Sequence, residues 1–124
     1  MRPEDLIWNR ACEGGGPDPR PGDRALAALL RAHGLAMNGG VLHAAEFLNT
    51  PALSDATSGY RFFGLNSVAD LLVRAQHLFR TGTDLETHEK ALNKQYAVLI
   101  PDDAFLGSVF ERHLKSNPSD FAAP

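Results

Sequence analysis

The sequence predicts an all-α fold, a single compact domain of about six helices. The 17 Leu, 17 Ala and 7 Phe far outnumber the 5 Val and 2 Ile. Leu and Ala keep their side-chain freedom in a helix, whereas β-branched residues lose it. Apolar residues also recur at three-to-four spacing in each long segment, the period of one helix face. At 124 residues the chain has room for one core and little more.

Residues 1–12 read as an N-terminal helix. Leu6, Ile7 and Trp8 follow Glu4 and Asp5, acids suited to the positive end of a helix dipole, and Pro3 fits the first turn. Residues 13–23 carry seven Gly or Pro in eleven positions and read as a linker, since neither helix nor strand persists through such a stretch. The segment lacks the Gly-Lys-Ser/Thr ending of a phosphate loop. Residues 24–124 form the helical domain. Asp23 is the expected N-cap of its first helix, with Leu26, Leu29, Leu30, His33 and Met37 on one apolar stripe and Gly34 marking a bend or an end. After Asn38-Gly39-Gly40 a second helix runs through Val41, Leu42, Ala45 and Leu48. Asn49-Thr50-Pro51 closes it, because a residue before proline avoids the helical region.

Residues 54–63 read as a short helix that Gly64 stops. Asn66 or Ser67 then caps a helix with Val68, Leu71, Leu72, Ala75, Leu78 and Phe79 on one face, ended by Gly82. Thr83-Asp84-Leu85-Glu86 has the spacing of a capping box and opens a helix with Leu85, Leu92, Tyr96 and Leu99 inward. Pro101-Asp102-Asp103 stops and restarts the chain. The last helix presents Leu106, Val109, Phe110 and Leu114 until Asn117-Pro118, and Phe121 folds back onto the bundle.

Several functions are excluded by composition. The apolar runs fall far short of the roughly 18 residues of a membrane span. Met1-Arg2-Pro3-Glu4-Asp5 begins no secretory signal, so neither export nor a membrane is expected. A lone Cys12 makes neither an internal disulfide nor a thiolate zinc site, which fits a reducing cytoplasm. The pI near 5.9 and the lack of a Lys/Arg run argue against direct nucleic-acid binding.

Catalytic patterns are also sparse. Of the five histidines, His33, His43, His77, His88 and His113, the tightest pairing is His43 with Glu46, one turn apart on one helical face. A catalytic zinc needs a third ligand in range, and neither His-Glu-x-x-His nor a repeated Glu-x-x-His occurs. No Gly-x-Ser-x-Gly elbow exists, and Cys12 has no histidine near it in sequence. No catalytic residue, metal or cofactor is assigned.

The net charge of −3 is local. Residues 1–83 hold eight acids and eight bases, and residues 104–124 hold two of each. Residues 84–103 hold five acids, Asp84, Glu86, Glu89, Asp102 and Asp103, against Lys90 and Lys94. These acids fall where helices start, a structural use in itself, and they are the candidates for an acidic face offered to a basic partner.

Three segments carry a family likeness. They are Met37-Asn38-Gly39-Gly40-Val41-Leu42-His43-Ala44, then Gly59-Tyr60-Arg61-Phe62-Phe63-Gly64-Leu65, then Tyr96 with Pro101-Asp102-Asp103 and Phe110-Glu111 leading to Asn117-Pro118-Ser119-Asp120-Phe121-Ala122. Over residues 25–122 the chain resembles the DNA-mimic-protein-like domain family, mostly uncharacterised bacterial proteins. The member that named the family is helical and dimeric, and it binds a transcription factor by presenting acids in place of DNA phosphates. The resemblance implies a helical fold, a homodimer and a protein partner. Its matching positions, Asn38, Gly39, Gly40, Tyr60, Tyr96, Pro118 and Phe121, are of types that make turns and core.

The leading expectation is a small cytoplasmic helical protein that works by binding another protein, a regulator of a DNA-binding or toxin protein. Two alternatives stay open. One is a metal- or small-molecule-dependent enzyme using His43 and Glu46, with His33 as a further candidate; the other is a structural module that dimerises.

Overall fold

The computed structural model describes residues 1–82 and 84–124. Among them are seven α-helices: α1 (Pro3–Cys12), α2 (Pro21–Gly39), α3 (Val41–Phe47), α4 (Thr50–Phe62), α5 (Asn66–Thr81), α6 (Leu85–Leu99) and α7 (Asp103–Ser116). A 3-10 turn, Pro118–Asp120, follows, and no strand occurs among the described residues. The all-α expectation holds, with seven helices in place of about six. None of the helices is long and apolar enough to cross a membrane.

α2 is the organising element and packs against α1, α3 and α4. Leu26, Leu29, Ala32, His33 and Ala36 form its buried stripe. Around them sit Leu53 and Tyr60 of α4, Leu72 of α5, Leu92 of α6 and Ile100 beyond it, all fully buried. α4 crosses α2 at Gly59, where a Cβ would collide with the carbonyl oxygen of Ala25. Only glycine lets the two backbones meet there.

Several helix boundaries differ from expectation. α2 starts at Pro21, so Asp23 lies inside its first turn and is not the N-cap; its Oδ2 accepts the Arg20 N–H at 3.0 Å. α2 also continues through Gly34, which faces solvent, because the buried stripe on the opposite face holds the helix. Ala36 takes the core position expected of Met37, which is 58% exposed. Asn49 does not only close α3. Its Oδ1 accepts the Ala52 N–H at 2.9 Å and caps α4, which therefore begins at Thr50 with Pro51 in a first turn that needs no donor there. α5 begins at Asn66 after Leu65, without a side-chain cap. Its expected inward Phe79 lies in the last turn and is 36% exposed. The capping box expected at Thr83 falls outside the described residues; Asp84, in left-handed backbone at φ 50°, immediately precedes α6.

The chain ends are tied together at the start of α2. Arg10 donates to Asp23 Oδ1 at 2.9 Å and to the carbonyls of Ala122 at 2.9 Å and Ala123 at 2.7 Å. Asp23 Oδ2 accepts the Ala122 N–H at 2.7 Å. Phe121 folds back as expected, edge-on to Phe110 with ring centroids 5.5 Å apart. Beside it His113 bonds Asp120 at 2.7 Å.

Candidate functional site

Four polar side chains from four helices form one hydrogen-bonded chain that runs from the core to the surface. His33 is buried because it sits on the apolar stripe of α2, Tyr60 because it ends the inward face of α4, and Tyr96 because it lies one turn beyond Leu92 on α6. Asp103 is the first residue of α7, fixed by Asp102, whose Oδ1 accepts the Phe105 N–H at 2.9 Å. The Tyr60 and Tyr96 hydroxyls are 2.8 Å apart, Tyr96 Oη is 2.7 Å from His33 Nδ1, and His33 Nε2 is 2.7 Å from Asp103 Oδ1. Tyr60, Tyr96 and His33 are buried, but the Asp103 side chain is 79% exposed.

Burial pushes the Tyr96 hydroxyl up to about 12, with the Asp103 charge adding to it and the Tyr60 hydrogen bond opposing it. Burial, reinforced by Tyr96, holds Tyr60 well above the ordinary tyrosine range. Both phenols therefore keep their protons, and each proton needs an acceptor. One arrangement satisfies all of them. Tyr60 donates to Tyr96, Tyr96 donates to His33 Nδ1, and His33 donates from Nε2 to Asp103. With the other tautomer, Nδ1–H would donate to Tyr96, Tyr96 would turn its proton to Tyr60, and the Tyr60 proton would have no acceptor among the described residues. The assignment follows from this hydrogen count.

The arrangement fixes a carboxylate at the surface rather than presenting a nucleophile. Its outer end is Asp103, and its inner end is a phenol sealed in the core. Cys12 supplies no nucleophile here, since desolvation and then the carboxylates of Glu13 and Asp103 push its thiol up. No three His, Cys, Asp or Glu side chains among the described residues are placed to hold a metal ion.

No family model, curated protein or solved structure matches this chain.

The five acids of residues 84–103 are all exposed, but they do not form one face. Asp84, Glu86 and Glu89 lie at the start of α6, and Asp102 and Asp103 follow its end. At 1.5 Å per residue the helix separates the two groups by roughly 20 Å. Only the second group is tied into the fold. The side chains of Asp84, Glu86 and Glu89 make no hydrogen bond or ion pair with another described residue, which leaves the helix dipole as their structural use.

The seven residues on which a family likeness was expected divide by role. Tyr60 and Tyr96 belong to the polar chain, whereas Pro118 opens the 3-10 turn and Phe121 fills the core beside Phe110. Gly40 takes φ 96° between α2 and α3, a conformation that favours glycine. That turn is pinned from α6, where Asn93 Oδ1 accepts the Val41 N–H at 2.9 Å. Asn38 and Gly39 are exposed at the end of α2. His43 packs its ring on Phe47 at 4.5 Å, and Glu46 faces solvent without a bond to it.

Sequence reasoning placed Tyr96 and His33 on inward faces and left them unjoined, and it gave Asn93 no role. A usable signal existed: a polar tip at a core position requires a buried partner, and three such positions occur on α2, α4 and α6.

Proposed function

We propose that the chain works by binding another protein, with Asp102 and Asp103 as a preformed contact for a basic segment of a DNA-binding or toxin protein that it regulates. The observation that carries this is the position of Asp103, a carboxylate 79% exposed yet bonded to a buried histidine. An ordinary surface acid loses rotamer freedom when it binds, and surface pairs contribute little for that reason. Asp103 is already immobilised from below. Asp102 is fixed beside it by its capping bond to α7.

The charge arithmetic favours a local contact over an extended DNA-like surface. Duplex DNA carries one charge per about 1.7 Å of axis, so a face about 30 Å long needs well over ten uncompensated acids. The chain has a surplus of three. Asp84, Glu86 and Glu89 serve as a second, separate contact at the other end of α6.

The test is affinity capture with the tagged full chain across several growth conditions, followed by Asp102→Asn/Asp103→Asn. The wild-type chain recovers a specific basic partner, and the double variant recovers less than about a tenth as much. Equal recovery by a folded double variant would remove the acidic contact from the account of binding.

A further inference from the structure

α5 and α6 lie side by side, leaving an open groove of about 510 Å³ between them. Its apolar lining is Leu71, buried at its base, with Leu99 and the exposed Val98, and its charged lining is Asp70, Arg74 and Lys94, with Gln95 beside them. Val98 is 74% exposed. Neither packing nor helix propensity accounts for it, since valine is a weak helix former.

The charges of the groove run against those of the chain. Arg74 donates to Gln95 Oε1, a neutral acceptor that leaves its charge uncompensated. Lys94 makes no ion pair or hydrogen bond with a described residue. Asp70, one turn before Arg74 on α5, is paired with Arg61 at 2.7 Å. Two uncompensated cations therefore flank an apolar lining in a chain of net charge −3.

We propose that this groove docks an acidic amphipathic helix of a partner protein. Its aliphatic side chains seat on Leu71, Val98 and Leu99, and its flanking Asp or Glu residues face Arg74 and Lys94. A helix suits the space because two side-by-side helices leave a furrow that a third can fill, with anchors at i, i+3, i+4 and i+7. Charge complementarity selects an acidic helix over a basic one. This surface differs in place and sign from Asp102 and Asp103, so either contact can fail while the other stands.

The probe is a fluorescent helical peptide with Leu at those four spacings and Glu on both flanks, titrated against the full chain by anisotropy and by amide chemical-shift mapping. The same peptide with Lys in place of Glu is the comparison. The Glu peptide is expected to bind saturably and shift the amides around Leu71, Arg74, Lys94 and Val98, and the Lys peptide to bind at least roughly tenfold more weakly. Val98→Asp should abolish binding, and Lys94→Glu should weaken it roughly three- to tenfold. Val98 and Lys94 are exposed, so both variants should melt with the wild type. Equal binding of both peptides, no saturable binding of the Glu peptide, or shifts confined to another face would overturn the proposal. So would a wild-type dimer that Val98→Asp converts to a monomer, since the groove would then hold a second copy of this chain.

Discussion

Two buried polar clusters in this domain are closed in opposite ways. Around Asp23 every partner belongs to the scaffold: the guanidinium of Arg10, the N–H of Arg20 and the N–H of Ala122. That cluster joins α1, the start of α2 and the C-terminal tail, and only the buried Arg10 Nε in it lacks a partner among the described residues. Around His33 the hydrogen bonds run from Tyr60 through Tyr96 to Asp103 and stop in solvent. An acid whose only task was to satisfy His33 would be expected inside the protein, as Asp23 is. The contrast separates a polar cluster that serves stability from one that also fixes a charge where a partner can reach it.

The two clusters should respond differently to substitution. Asp23→Ala should have the largest effect, about 3 kcal/mol or more by urea unfolding, because it removes the counter-charge of Arg10, whose side chain is only 20% exposed, and the acceptor of the Arg20 and Ala122 N–H groups. It should also raise hydrogen exchange at the Ala122 amide. A loss under about 1 kcal/mol would mean that the clamp is ornamental.

Alkaline pH should strike the other cluster. Its tyrosines keep their protons above the ordinary value of 10, with Tyr96 at about 12, whereas the unfolded chain releases them near 10. For Tyr96 the stabilisation is therefore complete below pH 10 and lost as pH rises toward 12, at about 1.4 kcal/mol per pH unit, and Tyr60, also held above its ordinary range, adds a loss of the same sign. The chain's two tyrosines are both in this cluster, so tyrosinate absorbance reports on it alone. Titration of both near pH 10 in the folded state would contradict the buried chain.

Within the chain, position should set the cost. Tyr96→Phe removes the middle link and strands both His33 Nδ1 and the Tyr60 proton, for about 2 kcal/mol. Tyr60→Phe removes only a terminal donor, for about 1 kcal/mol, and the double variant should cost less than the sum. Asp103→Asn should change stability least, within about 0.5 kcal/mol, because the amide oxygen still accepts from His33 Nε2. Its effect should instead appear in partner capture, which is the behaviour that would set it apart from Asp23.

Much of the fold was legible because local rules wrote it. Three-to-four apolar spacing marked the helices, and Gly40, Gly64 and Gly82 fell at their ends. The starts of α2 and α4 were missed for a shared physical reason. Proline signals a stop in a sequence pattern, yet Pro21 and Pro51 lie in first turns, where the missing N–H is not needed. Asp23 fits an N-cap by sequence because an acid suits both the cap and the third helical position; its contacts with Arg10 and Ala122 belong to the second. The candidate site was legible as residues and not as a cluster. His33 stands 63 positions from Tyr96 and 70 from Asp103, and periodicity says nothing about which inward faces meet. The same gap hid the division of the acids, since adjacency in sequence concealed a whole helix between the two groups.

The most direct measurement is the nitrogen-15 spectrum of His33 in the folded chain near neutral pH. A continuous chain from Tyr60 to Asp103 predicts a single tautomer, protonated at Nε2 and accepting at Nδ1 from the Tyr96 hydroxyl. A rapidly exchanging mixture of tautomers, or a ring protonated at Nδ1 alone, would contradict it.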